Sequence, residues 1–271
     1  MGKTVINNKA ASSGEYLRSI SQYRQLIFSF AKRDLKARFV QTKLGLLWII
    51  IQPLIALTIF TIFFDQLIKL ETGNVPYVAF AFSGMTIWYF FTNMVHSAGT
   101  ALINSQELIR KVYFPKILLP ISKVLVATVE FFVAFVLLIA IMIILGMDFS
   151  PKVLLFPIAI MMTALVGSCV AIWLNVLTVK NRDLQHFIPY LTNFGIWITP
   201  VFYPTTLIPE AFRDYIYYLN PIATTIDFLR SLLFDLTFNW SYCLSFLPVL
   251  ILLLIGIRIF KNRERNMVDY L

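Results

Sequence analysis

Residues 117–145 read ILLPISKVLVATVEFFVAFVLLIAIMIIL, a run in which Lys123 and Glu130 are the only charged side chains. A helix needs about 20 mostly apolar residues to cross the hydrocarbon core of a bilayer. Only 14% of the 271 residues are charged, whereas a typical soluble domain has about 25%. The sequence therefore predicts an all-α integral membrane protein with six transmembrane helices. We place the six crossings at about 44–64, 78–102, 117–145, 153–179, 184–203 and 240–260.

The distribution of basic residues predicts the orientation. Nineteen of the 23 lysines and arginines fall in alternate segments, namely the N-terminus, the second and fourth connections, and the tail, when Lys123 and Arg258 are counted with the segments that adjoin their helix ends. Basic residues accumulate on the cytoplasmic side of membrane proteins, so we expect both termini in the cytoplasm. The predicted parts are a cytoplasmic N-terminus (1–43), a transmembrane domain (44–260) and a cytoplasmic tail (261–271). The net charge of +9 follows from this topology and does not indicate a nucleic-acid partner.

Residues 16–39 form a candidate amphipathic helix before the first crossing. Its apolar residues recur at spacings of three and four, with basic residues among them. A basic helix with an aromatic face suits the membrane surface. Two interpretations remain open: a simple anchor, or an interfacial helix that also contacts a cytoplasmic partner.

Three connections have distinct patterns. Residues 105–116 mix charged and apolar side chains, which favours either a short surface helix ended by Pro115 or an anchor at the lipid headgroups. Residues 180–186 form a polar turn. The external segment 204–239 contains two candidate helices, 207–219 and 222–234, separated by Asn220-Pro221. Both are too short to span a bilayer, so we expect re-entrant or interfacial helices.

The sequence contains no convincing catalytic or metal-binding pattern, and we expect no enzyme. His96 and His186 lie in different segments without ligand spacing. Glu130 lies in the middle of a predicted crossing, where an acidic side chain is costly and must face the bundle or water. It is either a functional acid or the partner in a structural hydrogen bond.

Aromatic residues are concentrated in the second and fifth predicted crossings. Aromatic faces stack on sugar C–H surfaces and would let a glycan slide, but Trp and Tyr also form belts at membrane interfaces. Lipid-facing packing and channel lining both remain open for the helical face of Tyr190, Phe194 and Trp197. The candidate channel residues are Trp88, Tyr89, Phe90, Tyr190, Phe194, Trp197 and Tyr203.

Several short motifs occur in a familiar order along the chain. They are RDLKARF at 33–39, LG at 44–45, QP at 52–53, FPK at 114–116, NRDL at 181–184, TPVFY at 199–203 and LNP at 219–221. In this order they resemble the permease subunits of bacterial polysaccharide and polyol-phosphate ABC exporters of the O-antigen type.

The resemblance implies a function and partners. Such permeases form homodimers with two copies of a separate ABC ATPase, which binds the ATP and Mg²⁺; this chain itself would bind no cofactor. The implied cargo is undecaprenyl-diphosphate-linked polysaccharide, carried across the inner membrane, with O-antigen favoured. Capsular polysaccharide or teichoic acid export is one alternative, and drug or small-lipid efflux is another. An integral-membrane transferase is the least favoured.

The resemblance also implies roles by position. The ATPase-coupling residues would be Glu107, Leu108, Arg110, Lys111, Tyr113, Phe114, Pro115, Asn181, Arg182 and Asp183. The external gate would include Pro209, Tyr215, Tyr218, Asn220 and Pro221. The interface helix would present Arg33, Asp34, Lys36 and Arg38 beside the site where lipid-linked glycan enters.

Overall fold

The computed structural model describes residues 18, 20–40, 47–264 and 267, and it contains no strand in that part of the chain. Five of its helical segments are long and apolar enough to cross a membrane: Leu47–Leu67, Tyr77–Gly99, Leu118–Ile144, Pro151–Thr178 and Trp240–Arg263. The helices are α1 (Arg24–Val40), α2 (Leu47–Phe60), α3 (Tyr77–Gly99), α4 (Gln106–Lys111), α5 (Leu118–Ile144), α6 (Phe156–Thr178), α7 (Leu184–Ile198), α8 (Glu210–Leu219), α9 (Pro221–Phe234) and α10 (Phe246–Arg263).

Helix α3 forms the centre of the bundle. It packs against α5 and α6 along most of its length, and nearly all of its side chains are buried. By contrast, Leu57 is the one buried side chain of α2, which continues as a π-helical segment over Thr61–Leu67. The outer helices expose many large apolar side chains. This pattern is typical of helices that face lipid or a partner subunit.

The fifth predicted crossing differs from the observed helix. The prediction of 184–203 corresponds to α7, which ends at Ile198 after 15 residues. Thr199 has extended backbone, and residues 199–203 continue without helix. Proline at 200 explains the end, because the residue before a proline is disfavoured in helical conformation. It stays a prediction that α7 and residues 199–203 together form the fifth of six crossings.

The two short helices predicted after this segment are present as α8 and α9. Asn220 separates them and caps α9, because its side-chain oxygen accepts hydrogen bonds from the backbone N–H groups of Ile222 (3.1 Å) and Ala223 (3.2 Å). Pro221 occupies the first position of α9, where its missing N–H costs nothing. Helix α9 is almost entirely buried against α3 and α6.

The structure describes most of the predicted amphipathic helix, residues 16–39. Most of its described residues form α1, while residues 1–17, 19, 41–46, 265–266 and 268–271 lie outside the described residues. The predicted start of the first crossing at 44 therefore lies outside them as well.

Candidate functional site

The connection between α3 and α5 combines one deeply buried ring with one exposed ring. Phe114 is 3% exposed, and its centroid lies 5.5 Å from that of Phe30 on α1. Its neighbour Tyr113 is 78% exposed. Phe114 therefore fixes the connection to the bundle, while Tyr113 projects from it. Of the other predicted coupling residues here, Glu107, Arg110 and Lys111 are exposed, Leu108 is half-buried and Pro115 is buried.

The buried ring belongs to an apolar cluster that joins five parts of the chain. We call it the Phe114 cluster, represented by Phe30, Ile109, Phe114, Val176 and Phe260 from α1, α4, the connection, α6 and α10. The predicted second coupling turn follows α6 at the same end of the bundle. Its residues Asn181, Arg182 and Asp183 are all exposed. The structure thus places both predicted coupling segments at one end.

A polar contact fixes the same connection to the end of α10. The backbone N–H of Lys116 donates to a carboxylate oxygen of Glu264 at 2.5 Å. Lys116 is 8% exposed, and burial lowers the pKa of its amine, while the charge of Glu264 opposes that shift. A displacement of the connection would therefore be transmitted to the end of α10.

An ion pair links the interface helix to α5. Lys123 Nζ lies 2.8 Å from a carboxylate oxygen of Asp34, and Arg33 lies 3.0 Å from the other. Lys36 is exposed, and the side chain of Arg38 lies outside the described residues. The structure thus pairs Lys123 with α1.

Glu130 faces the interior of the bundle and is 6% exposed. Its Oε2 accepts a hydrogen bond of 3.0 Å from Nδ2 of Asn93 on α3. The structural hydrogen bond predicted as one alternative is therefore present. Asn93 was not among the predicted site residues, although an amide within an apolar helix is a usable signal. Within the described residues, no group of three His, Cys, Asp or Glu could hold a metal ion.

The predicted channel aromatics fall into two groups. Trp88 and Phe90 on α3 are buried, and Tyr89 between them is half-buried. A Cβ on Gly195 would lie 3.0 Å from the Trp88 ring, so the ring packs directly on α7. Three others are more than half exposed along α7, at Tyr190, Phe194 and Trp197.

Tyr203 has a capping role. Its hydroxyl donates to the backbone oxygen of Trp197 at 2.9 Å, at the end of α7. The Trp197 ring lies 6.0 Å from Phe202, which stacks on Phe60 with centroids 3.6 Å apart. Aromatic contacts thus join the end of α7 to α2.

The other end of α3 is organised by a buried arginine that sequence reasoning missed. Arg230 of α9 is 5% exposed. Its guanidinium donates to the backbone oxygens of Pro200 (2.9 Å) and Val201 (2.7 Å). It also donates to the oxygen of Phe80 (3.2 Å) and to Ser83 Oγ (3.3 Å). We call these five residues the Arg230 cluster. A basic residue within the mostly apolar segment 222–234 is the signal that could have found it.

The Arg230 cluster needs a glycine on α3. A Cβ on Gly84 would lie 2.5 Å from the Val201 oxygen and 2.8 Å from the guanidinium. Arg230 also lies 3.6 Å above the Phe80 ring centroid. Burial lowers its pKa to about 10, so the group stays charged at neutral pH. The segment 199–203 is therefore held against α3 by a buried charge.

A second set of polar contacts surrounds the predicted gate. Asn220 donates to Thr199 Oγ1 at 2.8 Å, and the Tyr218 hydroxyl lies 2.9 Å from Ser241 Oγ. Tyr215 is 62% exposed, and Pro209 is exposed just before α8. The structure thus brings Asn220 and Pro221 to the segment 199–203, while Tyr215 points outward.

The ABC-2 type transporter family model matches residues 25–234, from α1 to the end of α9. The chain belongs to the ABC-2 type transporter family. It is a multi-pass membrane protein of this transporter family, with several apolar helices long enough to span a bilayer.

Relatives within the ABC-2 type family match most of the chain. An O-antigen export system permease protein, RfbA, of Myxococcus xanthus is 29% identical over 81% of this chain and 84% of its own length. A protein of the same name from Klebsiella pneumoniae is 26% identical over 91% of this chain and 95% of its own length. The polysialic acid transport protein KpsM of Escherichia coli is 21% identical over 87% of this chain and 92% of its own length.

Proposed function

We propose that this chain is the permease subunit of an ATP-driven exporter that moves undecaprenyl-diphosphate-linked polysaccharide, with O-antigen favoured, across the bacterial inner membrane. The observation that carries the proposal is the α3–α5 connection, which is anchored by Phe114 and presents Tyr113 outward. A permease needs such a surface to receive force from a separate ATPase. The similarity to O-antigen permeases over most of the chain supports the cargo.

The proposed topology has six crossings, with α7 and residues 199–203 forming the fifth and both termini in the cytoplasm. The excess of basic residues in alternate segments supports it. Helices α8 and α9 are then re-entrant and gate the external mouth, because α9 is too short to span and is nearly all buried. Reporter fusions at the two ends test this topology, and ends on opposite faces would contradict it.

The proposed assembly contains a second copy of this chain and two copies of an ABC ATPase, which binds ATP and Mg²⁺. Exposed apolar residues along α2 and α7 support the second copy. These faces would meet the partner chain, the glycan path or membrane lipid.

The cargo has one specific competitor. The resemblance to the polysialic acid transport protein supports capsular polysaccharide as an alternative. The higher identity to the O-antigen permeases favours O-antigen. Deleting the gene should make lipid-linked glycan accumulate inside the cell. Intact surface glycan together with increased drug sensitivity would instead favour efflux.

Substitution of Tyr113 tests the docking surface. Tyr113→Ala should reduce co-purification of the ATPase with this chain by about tenfold, because exposed aromatic residues are common binding hot spots. Tyr215→Ala is the matched control, since Tyr215 is similarly exposed but lies on α8 at the other end. Equal co-purification of both variants with the ATPase would contradict the assignment.

A further inference from the structure

A cavity of about 670 Å³ lies between α2, α3 and α5, beside the buried acid. This volume falls within the range of about 300–1,000 Å³ that is typical of small-molecule sites. Five polar side chains share its wall: Gln52, Thr86, Tyr89, Asn93 and Glu130. Polar side chains inside the membrane are costly and mark functional sites by default. The hydrogen bond between Asn93 and Glu130 does not account for a cavity of this size.

The wall offers both donors and acceptors. Asn93 and Gln52 carry amide groups that do both. The backbone oxygen of Ile49 receives no hydrogen bond from residue 53, because Pro53 has no N–H and sits inside α2. Ile49 and Pro53 both line the cavity. A carboxylate accepts about four hydrogen bonds, so Glu130 can serve a wall residue and a ligand hydroxyl together.

Aromatic rings form another part of the wall. Trp48 lines the cavity and is 41% exposed, whereas Phe90 and Phe131, whose centroids lie 5.1 Å apart, are 1% and 2% exposed and support the wall from behind. The face of an aromatic ring is electronegative, and it therefore attracts the slightly positive C–H groups of a sugar ring. Hydroxyl partners beside aromatic faces are the combination that a carbohydrate needs.

The charge of the residues that line the cavity indicates whether it suits a sugar or a phosphate. Among the described residues that line the cavity, none is basic, and Glu130 is acidic. A phosphate or diphosphate would have to be buried here without a cation, which is strongly unfavourable. The cavity therefore suits uncharged sugar residues.

We propose that this cavity is a carbohydrate subsite that binds sugar rings of the glycan during export. This inference rests on the proposed function and names the place where the chain contacts its cargo.

Photocrosslinking in intact complexes tests the subsite. Ala134→p-benzoylphenylalanine places the probe in the wall, and Val136→p-benzoylphenylalanine is the matched control, because Val136 is on the same helix but 66% exposed. Both are expressed with the ATPase in the cells that make the glycan. Crosslinked sugar is detected by periodate oxidation and hydrazide labelling. We expect at least tenfold more sugar label at 134 than at 136.

Wall substitutions give the second measurement. In the 134 background, Glu130→Leu should lower the sugar label about tenfold, while Glu130→Gln should lower it about threefold at most. Gln52→Leu keeps the test valid if the Glu130 variants do not fold, since Gln52 is exposed on α2, and it should lower the label about threefold.

Phospholipid crosslinked at 134, or equal sugar label at 134 and 136, would overturn the proposal. A Phe194→p-benzoylphenylalanine variant separates the two claims. Sugar label at 194 but not at 134 would leave the export function standing and exclude the subsite. Normal surface glycan after gene deletion, with no sugar label at either position, would overturn the proposed function and the subsite together.

Discussion

The two ends of α3 are held by different kinds of contact. At one end, the Phe114 cluster joins α1, the α3–α5 connection, α6 and α10 through apolar packing. At the other end, the Arg230 cluster joins α9, α3 and the segment 199–203 through hydrogen bonds from one guanidinium. Both are buried, but the Phe114 cluster is held mainly by contact area, with the Lys116–Glu264 hydrogen bond beside it, whereas the Arg230 cluster is held by directed bonds.

This difference assigns a mechanical role to each end. Apolar packing has no preferred direction, so the Phe114 cluster tolerates small displacements when a partner pushes on the connection. Charge-assisted hydrogen bonds are strong and depend on geometry. We therefore expect the Arg230 cluster to move as a unit, carrying residues 199–203 together with α9.

The largest expected effect comes from removing the guanidinium. Arg230→Met leaves the oxygens of Pro200 and Val201 buried without the guanidinium donor, which should lower the free energy of unfolding by about 4 kcal/mol. Arg213→Met is the control, because Arg213 also donates to two backbone oxygens but is only partly buried. Chemical unfolding in detergent measures both. Equal losses in the free energy of unfolding would show that Arg230 contributes no more to stability than the partly buried Arg213.

The Phe114 end should respond to loss of volume. Phe114→Ala should lower the free energy of unfolding by about 3 kcal/mol, because it leaves a cavity in the cluster. Tyr113→Ala should change that free energy by about 0.5 kcal/mol at most, since the ring is 78% exposed. Similar unfolding midpoints for the two variants would refute the division between anchor and docking surface.

Two glycines on α3 compare the ends directly. Gly84→Ala should destabilise by about 2 kcal/mol, because the new Cβ meets the backbone oxygen of Val201 and the held guanidinium. Gly99→Ala at the other end meets Cδ1 of Leu174 at 2.8 Å, which can rotate away, and its Cβ at 3.2 Å, which needs only a small shift, so it should cost about 1 kcal/mol. The reverse order in thermal unfolding would contradict the idea of a rigid Arg230 end.

The smallest effect concerns pH. Burial raises the pKa of the Asp227 carboxyl to about 6, against the opposing effects of Arg230 and the hydrogen bond from Tyr217. The folded protein thus binds this proton more tightly than the unfolded chain, so the stabilisation exists at low pH and is lost as the pH rises through 6. Between pH 5 and pH 7, the wild type should lose about 1 kcal/mol relative to Asp227→Asn. If the difference in the free energy of unfolding between the wild type and Asp227→Asn were the same at pH 5 and pH 7, that result would contradict the prediction.

The sequence patterns predicted the positions of the helices better than they predicted the contacts between side chains. The apolar runs located the long helices, and Asn220-Pro221 correctly separated α8 from α9. The end of α7 was missed because apolar composition continues past Ile198, while the backbone conformation before Pro200 does not. Partner choice could not be predicted: nothing in the spacing of Lys123 shows that it pairs with Asp34 on α1.

Candidate site residues show the same limit. Sequence analysis grouped Tyr113 with Phe114 and Trp88 with Trp197, yet in each pair one ring is buried and the other exposed. Burial depends on which helices surround a residue, and composition does not encode that arrangement. The role of Arg230 likewise depends on residues 29 to 150 positions away.

Reconstitution tests the central claim most directly. Inverted vesicles containing this chain and its ATPase should take up lipid-linked glycan into a protected compartment only when ATP is added, and vesicles with either protein alone should take up none. The purified chain alone should hydrolyse no ATP. Glycan uptake without ATP or without the ATPase, or ATP hydrolysis by this chain alone, would contradict the account.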